Sequence, residues 1–175
     1  MLFSKNRIHI VSSPRVGILD LGGDETKAFV QEDVAFLKPL FADLRRVDLA
    51  APTCDVLFLY AELTPEGAIT GSPNGLREII RDSGAKVVVV ASPNPGGSYV
   101  KAGKQQPYGR ANLVMTLNRR GTSFSRFLAA LFAKMKRGTS MPVAWVELNP
   151  QVPGRDQSDS PETIFACEIG PLAFS

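Results

Sequence analysis

The segment of residues 86–91 (KVVVVA) constrains the fold of this chain more than any other stretch. Its four consecutive valines have no polar residue between them, so a strand built from them presents apolar side chains to both faces of its sheet. A strand of this kind lies at the centre of a parallel sheet that helices cover on both sides. The segment therefore predicts an α/β architecture.

Apolar segments and turn residues along the rest of the chain predict alternating strands and helices. Predicted strands cover residues 7–11, 16–21, 55–63, 86–91, 111–117, 142–148 and 164–174. Predicted helices cover residues 25–46 with an interruption at Pro39, 74–82 and 122–137. Residues 92–109 and 149–161 are predicted loops, because they are rich in proline, glycine and polar residues. This order predicts a three-layer sandwich with a mostly parallel central sheet and helices on both faces.

Length and composition are those of a single globular domain over residues 1–175, with 44% apolar and 21% charged residues. No apolar run approaches the ~20 residues of a transmembrane helix, and the first five residues do not open a signal peptide. We therefore expect a cytoplasmic protein that does not enter the membrane. His9, Cys54 and Cys167 lie too far apart in sequence to predict a zinc site or a disulfide framework. No metal or cofactor is expected.

Positive charge is concentrated in residues 83–146, which contain ten Lys and Arg residues and no Asp or Glu. Wherever these side chains reach solvent they project a positive potential. Lys101 and Lys104, near two tyrosines, and Arg119 and Arg120, before a predicted helix, are candidate ligands for an anionic partner. An acidic protein, a nucleic acid or another polyanion would fit. A purely solvated surface explains the same residues without any ligand.

Loops at the carboxyl ends of parallel strands are the usual ligand sites of such sheets. Asp20, Glu62 and Ser92 lie at or just beyond the carboxyl ends of predicted strands. Gly103-Lys104 does not complete a phosphate-binding loop, because the required glycine and the following Ser or Thr are absent. Candidate catalytic residues for an enzyme are therefore limited to Ser92 and Glu62, with Asp20 beside them.

Two strands and the helix between them carry a resemblance to a known family. Residues 56–63 (VLFLYAEL), a helix over 75–84 and residues 86–94 (KVVVVASPN) follow one another in the order of the caspase-like clan. In that clan the first strand ends in a Gly-His-Gly-type motif and the second in an Asp-Ala-Cys-type motif. The helix over 121–137 and the terminal strand over 162–174 are similar to the elements that follow in the clan.

The resemblance implies a caspase-like fold without its peptidase dyad. Ala61 or Glu62 stands at the histidine position, and Ser92 stands at the cysteine position. A caspase-type mechanism needs a thiolate beside a histidine, and a carboxylate is a poor base for a serine hydroxyl. The resemblance therefore implies a non-catalytic module that binds a protein partner.

Three alternatives to this interpretation stay open. The fold could be flavodoxin-like or another doubly wound α/β domain. The protein could be a hydrolase of another class that uses residues at strand ends, namely Ser92 and Glu62 with Asp20. It could also bind an anion or a nucleic acid through the basic stretch, in which case the affinity would fall steeply with salt.

Overall fold

The computed structural model describes residues 7–105, 108–148 and 161–175, in which strands and helices largely alternate. The strands are β1 (His9–Val11), β2 (Val16–Asp20), β3 (Leu44–Arg46), β4 (Val56–Tyr60), β5 (Val87–Val90), β6 (Asn112–Thr116), β7 (Thr163–Cys167) and β8 (Leu172–Phe174). The α-helices are α1 (Lys27–Leu37), α2 (Leu76–Ser83), α3 (Gly96–Lys104), α4 (Ser123–Lys136) and α5 (Met141–Leu148). A short 3-10 helix, Gly23–Glu25, precedes α1.

Six of the strands form the central sheet, in the order β3-β2-β4-β5-β6-β7. The first five are parallel to one another, and β7 runs antiparallel to β6 at one edge of the sheet. β1 and β8 form a separate two-stranded parallel sheet. The prediction of an α/β fold with a mostly parallel central sheet is therefore confirmed.

The four valines of β5 explain why helices cover both faces of the sheet. All four are 0% exposed. Val87 and Val89 pack with α1 and α4, which we call the α1/α4 core, whereas Val88 and Val90 pack with α2 and α3 in the α2/α3 core. Burying one valine side chain stabilises the fold by about 1.5–3 kcal/mol. Leaving either face of β5 in water would therefore forfeit several kcal/mol, and the arrangement is compatible with a three-layer sandwich.

An aromatic cluster closes the α1/α4 core and joins distant parts of the chain. The ring centroid of Phe132 on α4 lies 5.6 Å from that of Phe41, 6.1 Å from that of Phe58 and 5.8 Å from that of Phe174. The contacts with Phe41 and Phe58 are edge-to-face, the geometry that the ring quadrupole favours. β8 thus supplies Phe174 to the core although it lies outside the central sheet.

Residues 92–109 are not the continuous loop that their composition predicts, because α3 lies within them. Gly96 and Gly97 open this helix, and glycine is a poor helix former. Tyr99 and Ala102 are buried in the α2/α3 core and stabilise the helix from outside. Tertiary packing therefore overrides local propensity here.

Other predictions of local structure also require correction. Residues 142–148 belong to α5 rather than to a strand, because Met141 and Ala144 share a buried helical face. Residues 44–46 form the edge strand β3 instead of continuing a helix, since the helix ends before Pro39. The predicted last strand divides into β7 and β8 at Gly170, whose φ is +88°. Most of the predicted loop 149–161 lies outside the described residues.

A bidentate ion pair fastens α2 to the chain just beyond β7. Arg77 donates two hydrogen bonds to the Glu168 carboxylate, each 2.6 Å long. Hydrogen bonding to Glu168 raises the pKa of the Arg77 guanidinium above its usual value. Arg77 also donates to the Gly109 carbonyl at 3.1 Å, so this pair connects the antiparallel edge of the sheet to the helix that covers it.

Substituting Glu168→Gln is expected to lower the free energy of unfolding by about 1–3 kcal/mol, because it leaves a mostly buried guanidinium incompletely paired. Urea denaturation measures the change. Glu162→Gln is the matched control. The Glu162 side chain is 57% exposed, against 17% for Glu168, and its ion pair with the exposed Arg120 is longer, at 3.5 Å. The control should change the stability by less than about 0.5 kcal/mol, and equal losses would contradict the structural role of the Arg77–Glu168 pair.

Candidate functional site

A cleft opens at the carboxyl edge of the sheet where the strand order reverses. β3 and β4 lie on opposite sides of β2, and the crevice beyond such a reversal is the usual ligand site of an open α/β sheet. The cleft has a volume of about 540 Å³. We call it the carboxyl-edge cleft, and its lining residues are Leu21, Gly22, Glu25, Thr26, Phe29, Ala61, Glu62, Thr70, Ser92 and Pro93.

The first wall of the cleft is the turn between β2 and α1, which Asp20 holds in shape. The Asp20 carboxylate accepts hydrogen bonds from the Thr26 hydroxyl at 2.5 Å and from the Gly22 amide at 3.2 Å. A β-carbon on Gly22 would lie 2.3 Å from Cγ2 of Thr26. Because the hydrogen bond to Asp20 holds the Thr26 side chain in place, only glycine fits at position 22. The turn carries Glu25 to the cleft with its side chain exposed. Asp20 is thus a structural residue of the wall, and its other oxygen lies 3.9 Å from Arg46.

Ser92 forms the floor and connects β4 to β5 beyond the ends of both strands. The register pairs Leu59 with Val90, which places Ala61 beside Ser92. The Ser92 hydroxyl donates to the Ala61 carbonyl at 2.7 Å and accepts from the Ala61 amide at 2.8 Å. Ser92 is 6% exposed. Its hydroxyl therefore replaces two bonds that a continued backbone ladder would have made.

Asn94 repeats this arrangement two residues later. Its side-chain amide donates to the Ala61 carbonyl at 2.9 Å, and its amide oxygen accepts from the Leu63 amide at 2.7 Å. Tyr99 donates its hydroxyl to the Thr116 carbonyl at 2.9 Å on the other side of β5. The loops after three neighbouring strands are therefore bound to one another by buried side chains.

Glu62 occupies the second wall of the cleft and faces solvent. Its backbone carbonyl accepts a hydrogen bond from the Thr70 amide at 2.9 Å, and an isolated bridge between Leu63 and Ile69 closes the same loop. The loop is therefore held at its base while the Glu62 carboxylate remains exposed. No described residue that lines the cleft is Lys, Arg, His or Cys. The ionisable groups of its lining are the carboxylates of Glu25 and Glu62.

The histidine and the two cysteines lie away from this cleft. His9 is exposed on β1 and pairs with Leu172. Cys54 is buried just before the amino end of β4, and Cys167 is exposed and pairs with Asn112 at the amino end of β6. Burial raises the pKa of the Cys54 thiol to about 11. Within the described ranges no three His, Cys, Asp or Glu residues are grouped to hold a metal ion.

Arg119, predicted either to bind an anionic partner or to be a solvated loop residue, is instead buried, and its anions come from the chain itself. Its side chain is 2% exposed, and its guanidinium donates to the two oxygens of Asp33 at 2.8 and 2.9 Å. It also donates to Glu32 at 2.9 Å and to the Ala91 carbonyl at 3.0 Å. Burial opposes the charge and is the largest single effect, but the hydrogen bonds and charge of Asp33 together with the hydrogen bond to Glu32 outweigh it and raise the pKa of Arg119.

Aromatic rings and hydroxyl groups complete the enclosure of this ion pair. The Arg119 guanidinium lies 4.5 Å from the ring centroid of Phe29 and 4.8 Å from that of Phe124. Tyr60 donates its hydroxyl to Asp33 at 2.7 Å. Burial, followed by the charge of Asp33, raises the pKa of Tyr60. Phe29 also lines the carboxyl-edge cleft, so one ring separates the buried ion pair from the cleft.

The other three basic candidates do not form one site with Arg119. Arg120 is exposed and lies 3.5 Å from Glu162. Lys101 and Lys104 are exposed on α3. Because α3 packs in the α2/α3 core and Arg119 lies between aromatic residues of α1 and α4, these lysines belong to the opposite face of the sheet.

Sequence reasoning misses the residues that complete the site, of which Asp33 is the clearest example. Asp33 is 1% exposed on α1, between the partly buried Val34 and the buried Val30 and Leu37. A carboxylate on the apolar face of a helix is itself a signal, because burying it requires a cationic partner. The partner, Arg119, is 86 residues away, and only the fold brings them together.

Comparison with protein-family models, with curated proteins and with solved structures gives no match. No helix in the ranges that the structure describes is both long and apolar enough to cross a membrane.

Substituting Arg119→Met is expected to reduce the free energy of unfolding by about 3–5 kcal/mol, because it leaves the buried Asp33 carboxylate without its cation. Arg119→Lys should restore little of this loss, since an ammonium cannot reproduce the bidentate fork. Arg126→Met is the control: Arg126 is exposed on α4, and its loss should change stability by less than about 0.5 kcal/mol. Equal stability of R119M and R126M in urea would contradict this account.

Cys54 and Cys167 are expected to differ in reactivity toward a thiol reagent at pH 8. Cys54 is buried with a pKa of about 11, so its thiolate is both scarce and inaccessible. Titration of the native protein with Ellman's reagent should therefore detect one thiol per chain, and titration in guanidinium chloride should detect both. Cys167→Ser should abolish the native signal. Rapid reaction of two native thiols would show that the region before β4 is open.

Proposed function

We propose that this chain is a non-catalytic caspase-like domain that acts as a protein-interaction or regulatory module. The observation that carries the proposal is the hydrogen bonding of Ser92. Its hydroxyl proton is directed to the Ala61 carbonyl, and the same oxygen accepts the Ala61 amide. A serine nucleophile instead needs its proton directed at a base and its oxygen accessible to the substrate. Both hydrogen bonds of the Ser92 hydroxyl hold the segment after β5 against the segment after β4.

The residues around Ser92 offer no substitute for a thiolate beside an imidazole. The ionisable groups among the described lining residues are the carboxylates of Glu25 and Glu62. A carboxylate is a far weaker base than a serine alkoxide, so it does not take up the hydroxyl proton to a useful extent. The hydrolase alternative is weakened further because Asp20, its third residue, is bound by Thr26 and Gly22.

The order and pairing of the elements support the caspase-like resemblance. β4, α2 and β5 follow one another as the resemblance requires, and β4 and β5 are hydrogen-bonded neighbours. The two positions that would carry the dyad, Ala61 or Glu62 and Ser92, therefore belong to adjacent strand ends. α4 and β7 follow in the expected order. The five parallel strands also have the 2-1-3-4-5 order of flavodoxin-like sheets, which is the alternative assignment of the fold.

A protein partner is favoured over an anion or a nucleic acid by the sign of the charge at the cleft. Arg119, one of four basic candidates, is neutralised inside the chain. Lys101, Lys104 and Arg120 remain exposed, but they do not line the carboxyl-edge cleft. The cleft itself is acidic, which repels phosphate groups. A binding surface for a polypeptide is therefore the better account of this edge.

The proposal is tested by asking whether Ser92 reacts and whether the cleft contacts a protein. Intact-mass spectrometry after treatment with a fluorophosphonate should show no adduct, and a mixed peptide library should stay uncleaved. A photo-reactive amino acid at Thr70, on the exposed rim of the cleft, should crosslink a protein in extracts of the source cells. The same amino acid at Lys86, which precedes β5 at the opposite edge, is the control.

Two outcomes would contradict the proposal. Labelling of Ser92, or peptide cleavage that Ser92→Ala abolishes, would show that the site is catalytic. Crosslinking at Thr70 to nucleic acid instead of protein would favour the polyanion alternative. A protein recovered at Thr70 but not at Lys86, which then binds the purified domain, is the expected result.

A further inference from the structure

The two carboxylates of the carboxyl-edge cleft have no cationic partner in the described part of the chain. Glu25 and Glu62 are both exposed, and no described Lys or Arg lies within 4.0 Å of either carboxylate. They come from different loops, the first from the turn before α1 and the second from the loop after β4. The cleft therefore presents negative charge from two of its sides.

Apolar and polar atoms contribute about equally to the surface of this cleft. Leu21, Phe29 and Pro93 supply accessible aliphatic and aromatic carbon, and the cleft has a volume of about 540 Å³. A site that combines apolar surface with a few charged groups binds a ligand that has the complementary distribution. Lys and Arg side chains have this distribution, because an apolar stem carries a terminal cation.

The charge of the β2–α1 turn is opposite to that required for phosphate. Doubly wound sheets often hold a phosphate at this turn on free backbone amides. Here Asp20 accepts the Gly22 amide, and the turn adds the carboxylates of Asp24 and Glu25. Nucleotides and other phosphate esters are thereby disfavoured at the position where the fold would otherwise receive them.

The buried arginine behind the cleft does not cancel this negative potential. Arg119 lies against the Phe29 ring, but Asp33 and Glu32 both bind its guanidinium. One positive and two negative groups leave this cluster with a formal charge of −1 at neutral pH. The ion pair therefore fixes Phe29 in the wall of the cleft without repelling a cation on the other side.

We propose that the carboxyl-edge cleft binds a Lys or Arg side chain presented by an exposed segment of a protein partner, with Glu25 and Glu62 pairing with its charge and Leu21 and Phe29 packing on its stem. This inference rests on the proposed function, because it names the chemistry of the partner at the same edge. The committed occupant is a polypeptide, and a free polyamine is the competing source of the same cationic chemistry.

The experiment uses fluorescein-labelled heptapeptides of glycine and serine with one central Lys, Arg, Gln or Glu. Binding to the full chain is measured by fluorescence polarisation at low ionic strength. The Lys and Arg peptides should bind more tightly than the Gln peptide, and the Glu peptide most weakly. Glu62→Gln and Glu25→Gln should each weaken Lys-peptide binding about two- to fivefold, as expected for exposed ion pairs. Raising the salt concentration should reduce the preference.

The matched control is Glu66→Gln. Glu66 is exposed in the same loop as Glu62 but does not line the cleft, so the variant makes the same change in net charge. Equal binding of the Lys and Gln peptides, or an equal loss in E66Q and E62Q, would overturn the inference. Spermidine that binds as tightly as the Lys peptide and displaces it would overturn the assignment of a polypeptide.

Mass spectrometry of the peptides after incubation separates failure of this inference from failure of the proposed function. Cleaved peptides would overturn the non-catalytic role, whatever their relative affinities. Intact peptides that bind without a charge preference would overturn only the cationic ligand. Intact peptides with a preference that E25Q and E62Q reduce, and E66Q does not, are the expected result.

Discussion

The side chain of Arg119 joins three elements near the carboxyl edge of the sheet. It binds Asp33 and Glu32 on α1, the Ala91 carbonyl after β5 and the Ser125 hydroxyl on α4. Removing a guanidinium and a carboxylate from water costs several kcal/mol per ion, and only the complete set of partners offsets that cost. Because those partners belong to separate elements, the ion pair forms only when α1, α4 and β5 are docked together. We infer that it fixes their relative positions more than it adds to stability.

The same ion pair determines what kind of cleft the edge can carry. Phe29 contacts Arg119 with its ring and lines the carboxyl-edge cleft. The cleft wall therefore rests on a rigid charged cluster, while Ser92 and Asn94 hold the floor with bonds to Ala61. The charged cluster and the hydrogen bonds of the floor both favour a preformed binding surface. Such a surface loses less conformational entropy when a ligand binds.

Elements whose stability comes from their own apolar pattern could be predicted from the sequence. β5 is the clearest case. Its four valines point alternately to the two faces of the sheet, so all of them are buried only if both faces are covered. α3 could not be predicted, since Gly96 and Gly97 oppose a helix and the contacts that overcome them come from other elements. α5 resembles a strand in its sequence, because Val143 and Val146 are β-branched, although both are exposed on the helix.

The candidate site shows the same division. Ser92 and Glu62 could be placed near one another, because the carboxyl ends of neighbouring parallel strands meet at one edge. The burial of Arg119 could not be foreseen from its loop, since its partner Asp33 lies on a helix 86 residues earlier. The roles of Asn94 and Thr26 are equally non-local, because both residues bind groups in other segments of the chain.

The pairing of β1 with β8 has a consequence for the synthesis of the protein. Residues near opposite ends of the sequence hydrogen-bond to each other, and Phe174 fills a place beside Phe41 and Phe132 in the α1/α4 core. A growing chain cannot complete this core until β8 has left the ribosomal exit tunnel. During translation the apolar face of α4 is therefore only partly covered, and contacts of such large sequence separation form slowly. The nascent chain presents this surface to chaperones and to neighbouring chains until β8 is released.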